Sequence, residues 1–281
     1  MKIFVTGVKG QLGFDIERVF SQAGHDIFGT DYEDLDFTNE ESVNAVIGNY
    51  CPDVVVHCGA YTAVDNAEDD KEKAYDVNVN GTKYIANACK NVGAKMVYIS
   101  TDYVFEGKGE QAFMPDDEKN PINYYGETKS LGEDAVRAVL DEYFIVRISW
   151  VFGINGKNFV KTMLRLGGEK ERLTVVDDQI GSPTYTYDLS KLLLSMVSTD
   201  KYGIYHATNE GYCSWCEFAR EIMKLANLDC KVEAVTSDQY PTKACRPKNS
   251  RMSKDKLDEN GFERLRSWKE ALEEYIKELE N

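Results

Sequence analysis

The sequence is short of positive charge, of histidine and of long apolar runs, and each shortage excludes a class of function. Thirty-three lysines and arginines face 48 aspartates and glutamates, a formal charge of −15. A general binder of nucleic acid or of an anionic membrane surface carries the opposite sign, so any anionic ligand must be met by local positive groups. The three histidines, His25, His57 and His206, are far apart in sequence and supply no clustered metal ligands. Apolar stretches last a few residues, well below the ~20 that a membrane-spanning helix needs. The opening Met1-Lys2-Ile3-Phe4-Val5-Thr6-Gly7 lacks the apolar core of a signal peptide and reads as a strand running into a turn. A cytoplasmic location is expected. The seven cysteines are odd in number and scattered, as reduced thiols of such a protein are. One CxxC, Cys213 to Cys216, has no second pair; Ser214 and Glu217 within it read as a capping box opening a helix that runs to Leu225.

What is present is a regular alternation of strand and helix. Ile3–Thr6 is a short apolar run, followed by a glycine-rich turn and a helix with its apolar stripe at Leu12, Ile16, Val19 and Phe20. Asp26–Thr30 reads as a second strand, Thr38 and Glu41 as a capping box, and Val54–Val56 as a buried strand. A helix over Lys71–Asn91, a strand at Lys95–Ser100, a helix at Tyr124–Leu140 and a strand at Phe144–Ile148 follow. Short apolar strands separated by helices predict an α/β fold: a Rossmann-like, doubly wound parallel sheet covered on both faces. Past about Gly153 the loops lengthen and strands such as Thr174–Val176 and Gly203–His206 stand singly. This predicts residues 1–153 as a dinucleotide-binding domain and 154–281 as a smaller, closely packed α/β substrate domain, some of whose strands return to the first. No flexible linker separates them and no repeats occur.

Three motifs carry chemistry. Gly7-Val-Lys-Gly10-Gln-Leu-Gly13 lies between the first strand and first helix. Glycines there permit a tight turn and let backbone amides at a helix N-terminus approach a pyrophosphate. Asp31, at the end of the second strand, stands where a carboxylate receives the ribose hydroxyls. Its neighbours Tyr32-Glu33-Asp34 include no cation, which favours NADH over NADPH, although Lys9 in the turn offsets part of that charge. Ser100-Thr101-Asp102 ends a strand, where open α/β sheets place ligands. Tyr125 and Lys129 then share a helix face at i, i+4, a spacing at which a cation lowers a phenol's pKa toward working pH. Tyr187 and Lys191 repeat the spacing without a glycine turn and read as a decoy.

This order of motifs resembles the extended short-chain dehydrogenase/reductases, and within them the dTDP-4-dehydrorhamnose reductase family. The matching segments are GQLG (10–13), LDFTN (35–39), AYTAVDNAE (60–68), STDYVFEG (100–107), YGETK (125–129), SWVFG (149–153), NFVKTML (158–164), DDQIGSPT (177–184) and RPKNSRM (246–252). The resemblance implies hydride transfer from NAD(P)H to the C4 ketone of dTDP-4-dehydro-L-rhamnose, with Tyr125 the proton donor, Lys129 its partner, and Thr101 and Asp102 contacting the reacting sugar. It places Gln11, Leu12, Asp36, Phe37, Gly59, Ala60, Tyr61, Thr62, Asn78, Ile99 and Ser100 along the cofactor with the turn glycines and Asp31. Tyr103, Trp150 and Arg246 it assigns to the dTDP-sugar. It implies a cytoplasmic enzyme for which a homodimer is common, with no metal ligands. Asp15, on the first helix, is expected to face solvent, and Glu68-Asp69-Asp70 to start a helix. Two alternatives share the fold: a nucleotide-sugar dehydratase or epimerase, and a non-catalytic regulatory subunit. A tyrosine at 103 after Thr101-Asp102, and the joint presence of Thr101, Tyr125 and Lys129, speak against them.

Overall fold

The computed structural model describes residues 1–280. Five strands of the first half, β1 (Lys2–Thr6), β2 (Asp26–Thr30), β3 (Val54–His57), β4 (Lys95–Thr101) and β5 (Tyr143–Ile148), pair in the order β5-β4-β3-β1-β2. All pairings are parallel. A sixth strand, Gly203–His206, comes from the second half and adds to the outer edge of β5. The chain reverses direction of growth at β1, leaving a crevice beyond the C-terminal ends of β1 and β4, where open sheets of this kind bind ligands.

The strands are apolar on both sides because helices cover both faces. Alternate residues of one strand enter opposite cores: Ile3, Val5 and Val56 join Ile16, Phe20 and Leu193, whereas Phe4 and Val55 join Ile47, Ile85 and Tyr98. Helix α1 (Gln11–Gln22) buries its expected stripe of Leu12, Ile16, Val19 and Phe20. Its opposite flank is covered too, by the helix Thr186–Val197. Asp15 is consequently buried rather than solvent-facing: it accepts a hydrogen bond from Thr186 and pairs with Arg18 at 2.9 Å. The missing information was a partner helix arriving from 170 residues downstream, which no local periodicity reveals.

Two other elements depart from the sequence reading. Helix α2 (Glu40–Tyr50) is capped by Asn39, which accepts from Ser42 N–H at 3.0 Å, not by Thr38. The expected single helix from Lys71 is interrupted by a π-helical turn, Asp76–Gly81, before it resumes at Thr82–Val92. Inside that turn the Asn78 side chain brackets the Tyr61 backbone, accepting from its N–H at 2.8 Å and donating to its C=O. Gly81 lies so close to Phe37 that a Cβ would stand 2.9 Å from the ring. The wider turn accommodates both contacts.

The second half builds its own aromatic core around Phe152, Tyr185, Phe218, Trp268 and Tyr275. Its helix Trp215–Leu225 opens with the expected Ser214–Glu217 capping box. No helix among the described residues is long and apolar enough to cross a membrane.

Candidate active site

The crevice is a cleft of about 600 Å³. Its floor is the turn between β1 and α1. Gly7 has φ of +67°, and a Cβ there would meet the Gly59 backbone at 3.0 Å; a Cβ on Gly13 would lie 2.1 Å from the Gly7 carbonyl oxygen. The turn therefore closes only with glycine at these positions. Gly10 caps α1 without a side chain, its own amide donating to Gly7 O at 2.9 Å, and Phe14 is the first residue of α1 whose amide bonds back to the cap, to Gly10 O at 3.1 Å. The preceding amides, with the helix dipole behind them, form a cradle for a pyrophosphate. Asp31 follows β2, its carboxylate accepting the backbone amides of Lys9 at 3.0 Å and Tyr32 at 2.8 Å. Lys9 itself pairs with Glu33 at 2.9 Å.

Strand β4 delivers Thr101 and Asp102 to the cleft wall, and the helix Tyr124–Val139 delivers Tyr125 and Lys129 opposite them. That helix is aimed by its ends. Asn123 caps it by accepting from Gly126 N–H at 2.8 Å, while Glu68 accepts the Tyr124 amide at 2.9 Å. Gly126 packs its backbone against Tyr103, where a Cβ would stand 2.2 Å from the carbonyl oxygen. The result turns the Tyr125 hydroxyl toward Thr101 across the cleft. Tyr103 meets the Tyr125 ring edge-on, centroids 5.7 Å apart.

The electrostatics differ from the sequence expectation in one respect. Lys129 does not lower the Tyr125 phenol. Desolvation, then the charge of Asp102 and the neighbouring Tyr103, raise it above its ordinary value. Lys129 is fully enclosed, its ammonium 4.0 Å from the centre of the Tyr98 ring, and burial pushes its pKa down to about 7 against the opposing pull of Glu133. In a dry wall the cost of carrying charge outweighs the help that two neighbours give each other. Asp102 shows the same effect: burial lifts it to about 6, although Thr101 donates to it at 3.0 Å and Ser250 beside it pulls the other way. One of its oxygens, Oδ2, has no partner.

Most predicted residues line this cleft. Gly7, Gly10, Gln11, Leu12, Gly13 and Asp31 do so from the turn side. Phe37 does so from the loop after β2, Gly59, Ala60 and Thr62 from the loop after β3, Ile99 and Ser100 from β4, and Tyr103 and Trp150 from the far end. Four stand back from the wall. Asp36 caps its own loop by accepting from Thr38 at 2.9 and 2.7 Å. Tyr61 turns its hydroxyl outward to Asp70 at 2.9 Å. Asn78 is buried behind the wall, donating to Thr128 at 2.9 Å. Arg246 pairs with Asp65 at 2.8 Å and reaches the Tyr103 hydroxyl at 3.4 Å. The decoy pair stays outside: Lys191 lies over the Tyr187 ring on another face of the molecule.

Sequence reasoning missed three contributors. Trp215 lines the cleft from inside the CxxC segment, whose sequence signals only a helix start. Ser250, within RPKNSRM, stands beside Asp102 and opposes the rise in its pKa. Glu133 lies one turn beyond Lys129 and is fully buried; Arg147 grips it with two bonds of 2.8 Å, and Ser100 donates to it at 2.5 Å. Its i+4 spacing from Lys129 was a visible signal.

A family model described as the RmlD substrate binding domain matches residues 1–281. The spore coat polysaccharide biosynthesis protein SpsK of Bacillus subtilis is 43% identical over 99% of this chain and 97% of its own. A dTDP-4-dehydrorhamnose reductase structure from Clostridium acetobutylicum matches with a TM-score of 0.98 and 43% identity, covering 100% of both chains. Another, from Bacillus anthracis in complex with NADP, gives 0.97 and 43%, covering 99% of both. The chain belongs to the RmlD substrate-binding-domain family, in which these solved relatives carry the name dTDP-4-dehydrorhamnose reductase.

Proposed function

We propose that the protein reduces the C4 ketone of dTDP-4-dehydro-L-rhamnose to give dTDP-L-rhamnose, drawing on NADH or NADPH. The observation that carries this reading is the convergence of Thr101, Tyr125 and Lys129 on one cleft whose other end is the glycine cradle. The cradle suits a dinucleotide: side chains are excluded at Gly7 and Gly13, and amides precede the first turn of α1. Residues 1–153 supply this cofactor end, and residues 154–281, together with Trp150 and the Thr101–Tyr103 segment, the sugar-nucleotide end.

A bound reduced nicotinamide supplies the hydride that attacks the C4 carbon. Thr101 donates to the carbonyl oxygen and polarises it. As that oxygen becomes an alkoxide, Tyr125 gives it the phenolic proton. A raised phenol pKa suits a donor, because the proton is held until a stronger base appears beside it. Lys129, one helical turn from Tyr125 on the same wall, would become the balancing cation for the phenolate once bound ligands close the cleft and draw the two together. The unpartnered Asp102 Oδ2 accepts a sugar hydroxyl and orients the ring. At the far end of the cofactor Asp31 accepts ribose hydroxyls, and with Glu33 and Asp34 around Lys9 the site favours NADH over the 2′-phosphate of NADPH. The reading includes a cytoplasmic homodimer; seven free thiols accord with a reducing compartment.

The test is oxidation of NADH and of NADPH, followed by nicotinamide absorbance, with enzymatically prepared dTDP-4-dehydro-L-rhamnose. Sugar-dependent oxidation, faster with NADH, is expected. Intact cofactor binding with no oxidation refutes the reading.

A further inference from the structure

Trp150 is held in an unusual state. Its φ of +50° lies in the left-handed region, costly for a bulky side chain and found where surrounding structure over-determines the backbone. The flanking chain is pinned: Ser149 donates to Ser182 O at 2.7 Å, Thr184 Oγ1 donates to Ser149 O at 2.6 Å, and Thr184 N–H reaches Trp150 O at 3.2 Å. The indole so presented fits against Gly181, where a Cβ would stand 2.9 Å from Cε2. It lies flat on Trp215, centroids 3.7 Å apart and planes 14° from parallel. Trp215 is itself immobilised as the first residue of its helix, beside the Ser214–Glu217 capping box, with Phe159 against it at 4.6 Å. Both indoles line the cleft that holds Thr101, Asp102 and Tyr125.

The geometry points to Trp215 as a positioning residue for the sugar of the nucleotide-sugar substrate, acting through its stack on Trp150. Two indoles from segments 65 residues apart form one double-thickness aromatic wall, and the apolar face of a deoxyhexose is the chemistry such a wall recognises. Gly181 completes it by leaving the room that Trp150 occupies. Removing Trp215 leaves the Trp150 backbone pinned but lets its indole turn about its side-chain bonds, and the sugar then loses the flat face it packs against.

This inference rests on the reductase reading, and the experiment separates the two. Trp215→Ala should raise KM for dTDP-4-dehydro-L-rhamnose roughly tenfold, as loss of one aromatic stack implies, with NADH affinity and kcat little changed. Trp215→Phe, which keeps a ring against Trp150, should restore KM. Gly181→Ala should copy the defect with Trp215 intact. The stacked pair should also give an exciton couplet in far-ultraviolet circular dichroism, absent from Trp215→Phe and altered by dTDP-L-rhamnose but not by NADH. An unchanged KM in Trp215→Ala, a parallel loss of kcat and NADH affinity, or a couplet indifferent to dTDP-L-rhamnose overturns the assignment. If Trp215→Ala does not fold, the phenylalanine and Gly181 variants decide it. Failure of the wild type to oxidise NADH with the keto-sugar sinks the reductase reading instead, and the ligand-dependence of the couplet still judges Trp215.

Discussion

Asp102 offers a stability prediction that runs against intuition. Its carboxylate is enclosed, with one oxygen unpartnered, and its pKa stands at about 6 against 3.8 for an exposed aspartate. Because the folded pKa is the higher one, folding favours the protonated acid. The stabilisation is complete below pH 3.8 and is lost as pH rises through about 6. The difference of roughly two pKa units, at 1.36 kcal/mol each, means that the ionised carboxylate costs the ligand-free fold ~3 kcal/mol at neutral pH. Asp102→Asn preserves shape and removes the charge. Urea unfolding at pH 7.5 should therefore show the variant more stable than wild type by ~1–3 kcal/mol, the lower bound allowing for an imperfectly bonded amide. At pH 4.5 the gain should fall to roughly a third of that. The same variant should bind the sugar nucleotide more weakly, since a neutral amide is a poorer acceptor than a carboxylate. A variant less stable than wild type by equal amounts at both pH values refutes the reasoning, because it would mean that the carboxylate is not desolvated.

Other consequences are as specific. Tyr125→Phe should leave NADH binding intact and lower kcat by ~10²–10⁴, measured by cofactor titration and steady-state rates. Gly13→Ala, whose Cβ would stand 2.1 Å from Gly7 O, should abolish NADH binding, read by fluorescence titration. Arg147→Met strips buried Glu133 of both guanidinium bonds, leaving it Ser100 and a more distant Lys119 at 3.6 Å, and chemical denaturation should record a loss of up to ~3–5 kcal/mol. His57 is enclosed between Thr6 and Thr82, and burial pushes its pKa down to about 3. The unfolded chain gains a proton there below pH 6.5 that the fold does not, so stability falls as pH drops. His57→Gln should flatten the acid limb of a stability–pH curve.

The architecture was legible because its signals are local. Four-residue apolar strands, the α1 stripe and the glycine turn each announce themselves within a dozen residues, and their order implies a parallel sheet. The site was legible to the extent that its residues lie at strand ends and helix starts. What escaped depends on distant chain. Asp15 reads as solvent-facing until the helix Thr186–Val197 arrives. Trp215 reads as part of a helix start until it meets Trp150. Lys129 reads as a simple aid to Tyr125 until burial is known, because desolvation is a property of the packed molecule. The π turn at Asp76–Gly81 goes with Asn78 meeting the Tyr61 backbone and Gly81 meeting Phe37, contacts from other parts of the chain.

The most direct test of the central claim is the steady-state rate of nicotinamide oxidation by the wild-type protein with dTDP-4-dehydro-L-rhamnose, with dTDP-L-rhamnose identified as product. The account predicts stoichiometric formation of dTDP-L-rhamnose with cofactor oxidised. Folded protein that binds NADH and the sugar nucleotide yet oxidises no cofactor contradicts it.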